Sequence, residues 1–237
     1  PKDVTVAVKT DEPATVKYAL EPGVPYEKMP FTFATTRSTE HAHALKDVKP
    51  GSVHRLYLKA QDALGNANLD DYCVDFYAPD GFAPFRQEIE AEAGKLSGTM
   101  TVVANDAASG GKYVTAALGM MGAIRAAYTF TVPCTGEYVV WARVWGPDSG
   151  SDSFFVSVDD GPEDVFDIDE KNRTKQWRWT ALNGRGFRGK RRPLTLDPRV
   201  LLLTKGEHTL VFRGRESDAC LDRLIITNDP AFTPEPK

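Results

Sequence analysis

Short runs of β-branched and aromatic residues with period two, divided by glycine and proline, constrain the fold of this chain more than any other feature. In residues 4–8, 138–143 and 154–158 an entirely apolar set of alternate positions is interleaved with a set that includes polar residues. A period of two places successive side chains on opposite faces of a strand. Its 19 glycines and 16 prolines fall between these runs, as turn signals do in β-sandwiches and barrels. The sequence therefore predicts an all-β protein, with one short helix-like pattern at Arg86 to Lys95.

Composition and charge exclude several other classes of protein. Hydrophobic residues make up 41% and charged residues 26% of the chain, which argues against wholesale disorder. No run of about 18 apolar residues occurs, so we expect no membrane partner. A net charge of −4 argues against a nucleic-acid partner. The three cysteines have no metal-type spacing, and whether Cys134 pairs with Cys220 stays open.

A break in the alternating pattern divides the chain. Pro79, Gly81 and Pro84 interrupt it within a few residues, as a short linker does. The sequence predicts domains at 1–80 and 81–237. Because the chain opens on Pro1 without an initiator methionine or an apolar leader, we also expect an internal fragment whose signal peptide is absent by cleavage or by design.

The first domain resembles the fibronectin type III-like domains found in bacterial secreted enzymes. Four matching segments carry the resemblance: Thr10–Tyr18, Val48–Gly51 before Tyr57, Ala60–Asn68 and Tyr72–Phe76. The resemblance implies a β-sandwich that acts as a spacer and carries no chemistry. His41 and His43 share a face of a strand, and they are interpreted either as part of a metal site or as exposed strand residues.

The second domain resembles the carbohydrate-binding modules of families 6 and 35 over residues 88–229. The order and spacing of seven segments carry this resemblance: Ile89–Glu92, Ser109–Val114, Tyr128–Pro133, Gly136–Tyr138, Asp152–Val156, Gly206–Leu210 and Leu221–Ile226. The resemblance implies a jelly-roll β-sandwich, and so two sandwiches in tandem.

A structural Ca²⁺ ion is the second implication of that resemblance. In these modules two glutamates near the first strand and an aspartate near the last bind the metal, and the matching positions are Glu90, Glu92 and Asp222. Calcium prefers such oxygen ligands, and the two glutamates would project from one face of an extended strand. Solvent-facing glutamates with a surface pair between Asp222 and Arg223 are the alternative.

Two adjacent sequence blocks of opposite charge indicate which class of ligand the second domain binds. Residues 148–170 hold nine acidic side chains and no basic one, and residues 171–192 hold nine basic side chains and no acidic one. Tryptophans interleave with the basic block. Aromatic faces bind sugar C–H groups, and guanidinium groups bind carboxylate or sulfate in pairs of hydrogen bonds. The candidate ligand-binding residues are Trp145, Trp177, Trp179, Arg178, Arg185, Arg188, Lys190 and Arg215.

This pattern predicts binding of an anionic polysaccharide, either uronate-rich or sulfated. Two alternatives stay open. The ligand is a neutral glycan, or the two charge blocks neutralise each other and the tryptophans pack in the core without binding any glycan.

The most consistent function is that of a non-catalytic fragment, since no pair of carboxylates or nucleophilic motif has a recognisable catalytic setting. We expect a secreted or cell-surface monomer that targets the catalytic domain of a polysaccharide-degrading parent chain to its substrate. A purely structural or adhesive pair of spacers is one alternative. A polysaccharide lyase that uses Lys, Arg and Tyr is another.

Overall fold

The computed structural model describes residues 2–116, 124–148, 150–168, 176–185 and 197–235. Seventeen strands and three short 3-10 turns (Tyr26–Lys28, Ala91–Ala93 and Ser109–Gly111) form within these ranges. The prediction of an all-β protein is confirmed. No helix in the described ranges is long and apolar enough to cross a membrane. The chain divides into a first unit, Pro1–Phe82 with Cys134–Gly136, and a second unit, Ala83–Pro133 with Glu137–Lys237.

The first unit is a sheet folded over a small apolar core. Its strands are β1 (Lys2–Ala19), β2 (Phe31–Thr32), β3 (Ser38–Val48), β4 (Ser52–Asp62) and β5 (Tyr72–Ala78). Strand β1 changes partner along its length: its first half pairs with β3 and its second half with β4 and β2, with a register break between Lys9 and Ala14. The buried core residues are Val6, Val16, Tyr18, Phe33, Leu56 and Leu58.

The two histidines of β3 face this core, so the interpretation as exposed strand residues is wrong. His41 is buried, and its ring nitrogens lie 2.9 Å from the Thr10 hydroxyl and 3.1 Å from the Thr36 hydroxyl. Burial lowers the pKa of His41. His43 accepts a hydrogen bond from the backbone N–H of Ala34 through Nδ1. These ring nitrogens therefore already have polar partners within the protein.

The second unit is a sandwich of two antiparallel sheets. The first sheet runs in the order β14-β11-β17-β9-β8, with β15 added to β11 and β6 added to β17, and the second runs β13-β12-β16-β10-β7. The strands are β6 (Arg86–Glu90), β7 (Lys95–Ser97), β8 (Met100–Ala104), β9 (Lys112–Ala116), β10 (Arg125–Val132), β11 (Gly136–Trp145), β12 (Ser153–Val158), β13 (Asp164–Asp167), β14 (Arg178–Ala181), β15 (Leu201–Leu203), β16 (Gly206–Gly214) and β17 (Cys220–Thr227).

Alternation along β11 fixes which side chains enter the sandwich core. Tyr138, Val140 and Ala142 are fully buried, whereas Trp141 and Arg143 lie on the outer face and are only half-buried. The core is completed by aromatic and aliphatic side chains of both sheets, including Tyr128, Phe154, Phe166, Leu210 and Phe212. The period-two pattern in the sequence therefore correctly predicts which residues of β11 face the core.

The helix-like pattern at Arg86 to Lys95 is not a helix. Its first half is β6, which pairs with the last strand, β17, and the 3-10 turn Ala91–Ala93 follows. The buried Tyr128 hydroxyl donates a 2.9 Å hydrogen bond to the Ala91 carbonyl oxygen, and any side chain at Gly94 would overlap the Tyr128 ring. Sheet pairing and this ring contact outweigh the weak helical propensity of a short segment.

All three cysteines are thiols, and Cys134 and Cys220, which are both buried, do not form a disulfide with each other. Burial raises the pKa of Cys220 to about 12. This thiol is therefore protonated at neutral pH and is a packing residue.

Candidate functional site

The outer face of the first sheet ends in a row of side chains aligned across three strands. Trp145 at the end of β11 pairs in register with Cys220 on β17, which pairs with Thr115 on β9. Cross-strand partners share a face of a sheet. Because Tyr113 lies two residues before Thr115 on β9, it belongs to that same outer face.

Three aromatic rings come together at this end of the sheet. Trp177 directly precedes the edge strand β14, and its ring centroid lies 5.7 Å from that of Trp145 and 5.3 Å from that of Tyr113. Both contacts are edge-to-face, a favourable arrangement for aromatic pairs. All three residues are half-buried, so each keeps part of its surface exposed to solvent. We call Tyr113, Trp145 and Trp177 the aromatic site.

A guanidinium group fixes one side of the aromatic site. The Arg143 guanidinium carbon lies 5.4 Å from the centroid of the Trp177 ring, within the range of a cation–π contact. The same guanidinium is bonded to Asp222 and donates to the Ala107 carbonyl oxygen at 3.3 Å. Only 11% of the Arg143 side chain is exposed. The bonds to Asp222 and Ala107 therefore fix the position of the Arg143 guanidinium, and its cation–π contact helps to position the Trp177 ring.

The aromatic site also contains a buried donor without an acceptor. The Nε1 atom of Trp145 is buried and has no hydrogen-bond partner among the described residues. A buried N–H without a partner costs about 1–3 kcal/mol. A hydroxyl oxygen or a water molecule at this end of the sheet would recover part of that cost.

The structure brings together only part of the predicted ligand-binding set. Trp145 and Trp177 are in contact, and Trp179 lies opposite Arg143 in register between β11 and β14. Arg178 lies opposite Val144 in the same ladder. Arg188 and Lys190 lie outside the described residues.

The two remaining predicted arginines are engaged in ion pairs within the protein. Arg185 lies 3.2 Å from Asp197, and its side chain is only 14% exposed. Arg215 bonds Glu216 and the Ser153 hydroxyl. The Arg185 side chain is thus largely covered by the protein, whereas that of Arg215 stays 37% exposed despite its ion pair.

Two residues of the aromatic site and its surroundings were not predicted. Tyr113 lies in a segment used only to recognise the fold, and Arg143 lies in the alternating run 138–143, used only to predict a strand. The alternation of β11 does place Arg143 and Trp145 on one face, so that signal could have identified the arginine. Tyr113 needs the pairing of β9 with β17, which sequence spacing does not reveal.

A cluster of carboxylates adjoins the aromatic site through Arg143, which contacts both Trp177 and Asp222. Glu90 ends β6 and Glu92 lies in the 3-10 turn that follows, so the expectation of one extended strand is wrong. The two side chains nevertheless converge on Gly110: a methyl group there would lie 3.4 Å from Glu92 Oε1 and 4.0 Å from Glu90 Oε2. The Oε2 atoms of both glutamates are buried and lack a hydrogen-bond partner among the described residues.

Asp222 closes the cluster from the last strand. The register between β11 and β17 breaks at this residue, and the resulting bulge turns its carboxylate toward Arg143, leaving the side chain fully buried. The alternative of a surface pair with Arg223 is therefore wrong. The Ser109 backbone N–H donates to Asp222 Oδ1 at 2.9 Å, while the Ser109 hydroxyl donates to Glu90 Oε1 at 2.8 Å. Burial raises the pKa of Asp222, and Arg143 opposes that effect.

The carboxylate cluster has some of the features that a calcium ion requires. Glu90 and Glu92 offer buried oxygens that lack donors, and Gly110 leaves space between them. Asp222, by contrast, already uses its oxygens to bind Ser109 and Arg143. Within the described ranges no group of three or more His, Cys, Asp or Glu side chains has a metal-holding arrangement. The Oε2 atoms of the two glutamates are therefore the oxygens that remain for a cation, since Glu90 Oε1 already accepts from Ser109 and lies 3.4 Å from Arg223 Nε.

Several solved structures have a similar fold. A family 35 carbohydrate-binding module from Clostridium thermocellum is 21% identical and covers 60% of this chain and 98% of its own, with a TM-score of 0.45. The C-terminal CBM6 of a marine laminarinase from Zobellia galactanivorans is 15% identical and covers 61% of this chain and 100% of its own, with a TM-score of 0.43. A GH26-CBM35 β-(1,4)-mannanase from Podospora anserina is 17% identical and covers 63% of this chain, with a TM-score of 0.47.

The chain covers only 29% of that mannanase, although it spans nearly all of the two isolated modules. With identities below 25% and TM-scores below 0.5, these likenesses do not establish what this chain binds. No family model matches the sequence, and no curated protein matches it significantly.

Proposed function

We propose that the second unit binds a polysaccharide at the aromatic site and that the chain has no catalytic role of its own. The observation that carries the proposal is the contact of Tyr113, Trp145 and Trp177, three half-buried residues, at one end of a sheet. Aromatic rings bind the C–H faces of sugars, and the Trp145 Nε1–H, which lacks an acceptor among the described residues, suits a sugar hydroxyl.

An anionic glycan is the finer proposal, and it depends on the basic block of residues 171–192. Its nine basic side chains are adjacent in sequence to Trp177, and no acidic side chain interrupts them. Of the two described arginines of the block, Arg178 and Arg185, the second is engaged in an ion pair; Arg143, outside the block, is held by Asp222. Charge recognition would therefore depend on basic side chains of the block other than these, such as Arg188 and Lys190.

The biological role that follows is targeting. The first unit would act as a fibronectin type III-like spacer, and the second would hold a catalytic domain of the parent chain close to its substrate. Such tethering raises the effective concentration of the enzyme at the polysaccharide without new chemistry. We propose a monomer that works in the secreted or cell-surface setting in which such polysaccharides occur.

Affinity electrophoresis tests this function. Native gels that contain acidic polysaccharides (polygalacturonate, a sulfated galactan) or neutral ones (a β-glucan, a galactomannan) are compared with plain gels. We expect retardation in the acidic gels alone, weakened by raised salt because exposed charges are screened. Retardation in neutral gels alone would refute the anionic specificity. Normal mobility in every gel would favour the alternative of a pair of spacers.

Incubation of the protein with a polysaccharide that retards it distinguishes binding from cleavage. We expect no new reducing ends and no unsaturated uronate products after long incubation with the protein. Product formation would instead support the lyase alternative.

We also propose that Ca²⁺ is bound by Glu90 and Glu92, with Asp222 as a third ligand only if it exchanges its contact with Ser109 or Arg143. The ion would satisfy the buried Oε2 atoms of both glutamates, which lack donors among the described residues, and join β6 to the Ser109–Gly111 turn. We expect EGTA to lower the unfolding temperature of the second unit, because a ligand that binds only the folded state stabilises it. Glu90→Gln combined with Glu92→Gln should abolish the response to EGTA, whereas Glu137→Gln on the exposed side of β11 should retain it. An unchanged unfolding temperature in wild-type protein would refute the site.

A further inference from the structure

The first unit contains a groove that a spacer role does not explain. Its volume is about 600 Å³, and its apolar floor is formed by Val8, Val16, Leu58 and Ala60. These side chains belong to β1 and β4, where β1 changes its pairing partner. Tyr72 lines the groove as well and is 60% exposed. The groove therefore extends down to core residues of this unit, of which Val16 and Leu58 are themselves buried.

The rim of the groove is acidic. Its carboxylates are Asp11, Glu12, Asp62, Asp70 and Asp71, against two lysines, Lys9 and Lys59. Lys9 is already paired with Glu40 at 2.9 Å, outside the groove. Within the described ranges Asp11, Glu12 and Asp70 have no ion-pair partner and are exposed. The groove thus combines an apolar floor with an excess of negative charge.

One wall of the groove holds an acceptor that lacks a donor. Asp71 Oδ1 is buried and has no hydrogen-bond partner in the described part of the chain, although Lys59 Nζ lies 3.6 Å away. The two side chains are only 14% and 8% exposed. Asp71 Oδ2 accepts a 2.6 Å hydrogen bond from the backbone N–H of Gly23. An N–H or ammonium donor entering the groove would satisfy the remaining oxygen.

The groove also meets an unpaired strand edge. The first half of β1 pairs with β3 on one side, and no strand among the described residues pairs with its other side. Val8, Lys9 and Thr10, at the end of that half, line the groove. A free edge presents a row of N–H and C=O groups to which an extended peptide can add.

From these features we infer that the first unit docks an extended peptide in which apolar and basic residues alternate. The peptide would add to the free edge of β1. Its apolar side chains would cover Val8, Leu58 and Ala60, and its basic side chains would face the acidic rim. This interaction is independent of glycan binding by the second unit.

Fluorescence anisotropy of a labelled synthetic peptide with the full chain tests the inference. The probe is a short capped peptide of alternating lysine and valine, and the matched control has glutamate in place of lysine. We expect saturable binding of the lysine peptide, at least about tenfold tighter than that of the glutamate peptide and weaker in raised salt. Equal binding of both peptides, or of neither, would overturn the inference.

Two variants separate charge from shape. Asp11→Lys with Glu12→Lys should weaken the lysine peptide by about tenfold or more, whereas Glu21→Lys with Glu27→Lys, exposed residues away from the groove, should change its affinity less than about twofold. Ala60→Leu should weaken it by filling the floor. Circular dichroism of each variant verifies that the fold is retained. Unchanged affinity in both groove variants would contradict the assignment.

Hydrogen exchange tests the strand addition itself. Saturating lysine peptide should slow amide exchange within residues 2–9, the half of β1 with the free edge. Binding without this protection would mean that charge attraction alone holds the peptide, and it would refute strand addition. Self-association of the protein that competes with the peptide would show that a second copy is the occupant, which would also contradict the inference.

Discussion

Trp177→Ala should raise the Kd for a retarding polysaccharide by about thirtyfold or more, equivalent to about 2 kcal/mol. Trp177 contacts both other rings of the aromatic site and the Arg143 guanidinium. Removal of its ring therefore deletes one stacking surface and leaves Tyr113 and Trp145 without their shared neighbour. The Kd is measured by affinity electrophoresis over a range of polysaccharide concentrations.

A matched aromatic deletion controls for non-specific effects. Phe82→Ala removes a ring that is 77% exposed and belongs to the first unit. We expect this variant to migrate as wild type in every polysaccharide gel. If Trp177→Ala also keeps the wild-type Kd while the fold is intact, the glycan is bound elsewhere.

Arg143→Met should destabilise the second unit by about 3–5 kcal/mol. Asp222 is fully buried and Arg143 is its ion-pair partner, so the substitution leaves a buried carboxylate without its counter-charge. Urea unfolding in EGTA, followed by tryptophan fluorescence, measures the loss. All four tryptophans lie between residues 141 and 179, so this signal reports on the second unit alone.

The double variant Arg143→Met with Asp222→Asn separates the buried charge from lost packing. Because the introduced amide is neutral yet can still accept a hydrogen bond from Ser109, we expect the double variant to recover at least half of the lost free energy. Arg213→Met is the control, since its partner Glu163 is 32% exposed and can be rehydrated. A double variant no more stable than Arg143→Met would contradict the role assigned to this ion pair.

The strands and their inward-facing residues could be predicted because alternation is a local property. The faces of β11 follow directly from its sequence, and the buried rings of β12 and β16 do as well. Pairing of strands distant in sequence has no comparable local signal. The register of β9 with β17 brings Tyr113 to the aromatic site, and the bulge at Asp222 brings its carboxylate to Arg143.

Charge along the sequence is a poor guide to charge in space. The sequence predicts Arg178 and Arg185 as ligand-binding because they lie in the basic block, and Arg215 because it lies in the loop between β16 and β17. In the fold Arg185 meets Asp197, which lies outside both charge blocks, and Arg215 meets its sequence neighbour Glu216. Alternation places Arg143, an isolated basic residue within an apolar strand, on the outer face of β11, but its contacts with Asp222 and Trp177 are revealed only by the fold.

The indole N–H signals of the tryptophans test glycan binding at the aromatic site most directly. A ¹H–¹⁵N spectrum of the protein resolves these signals, and single Trp→Phe variants assign them. On titration with oligosaccharides of a retarding polysaccharide, the Nε1–H signals of Trp145 and Trp177 should shift in a saturable way, while that of Trp141 should move little. Saturable shifts confined to Trp141, or none at Trp145 and Trp177 in protein that the same polysaccharide retards, would contradict the proposed site.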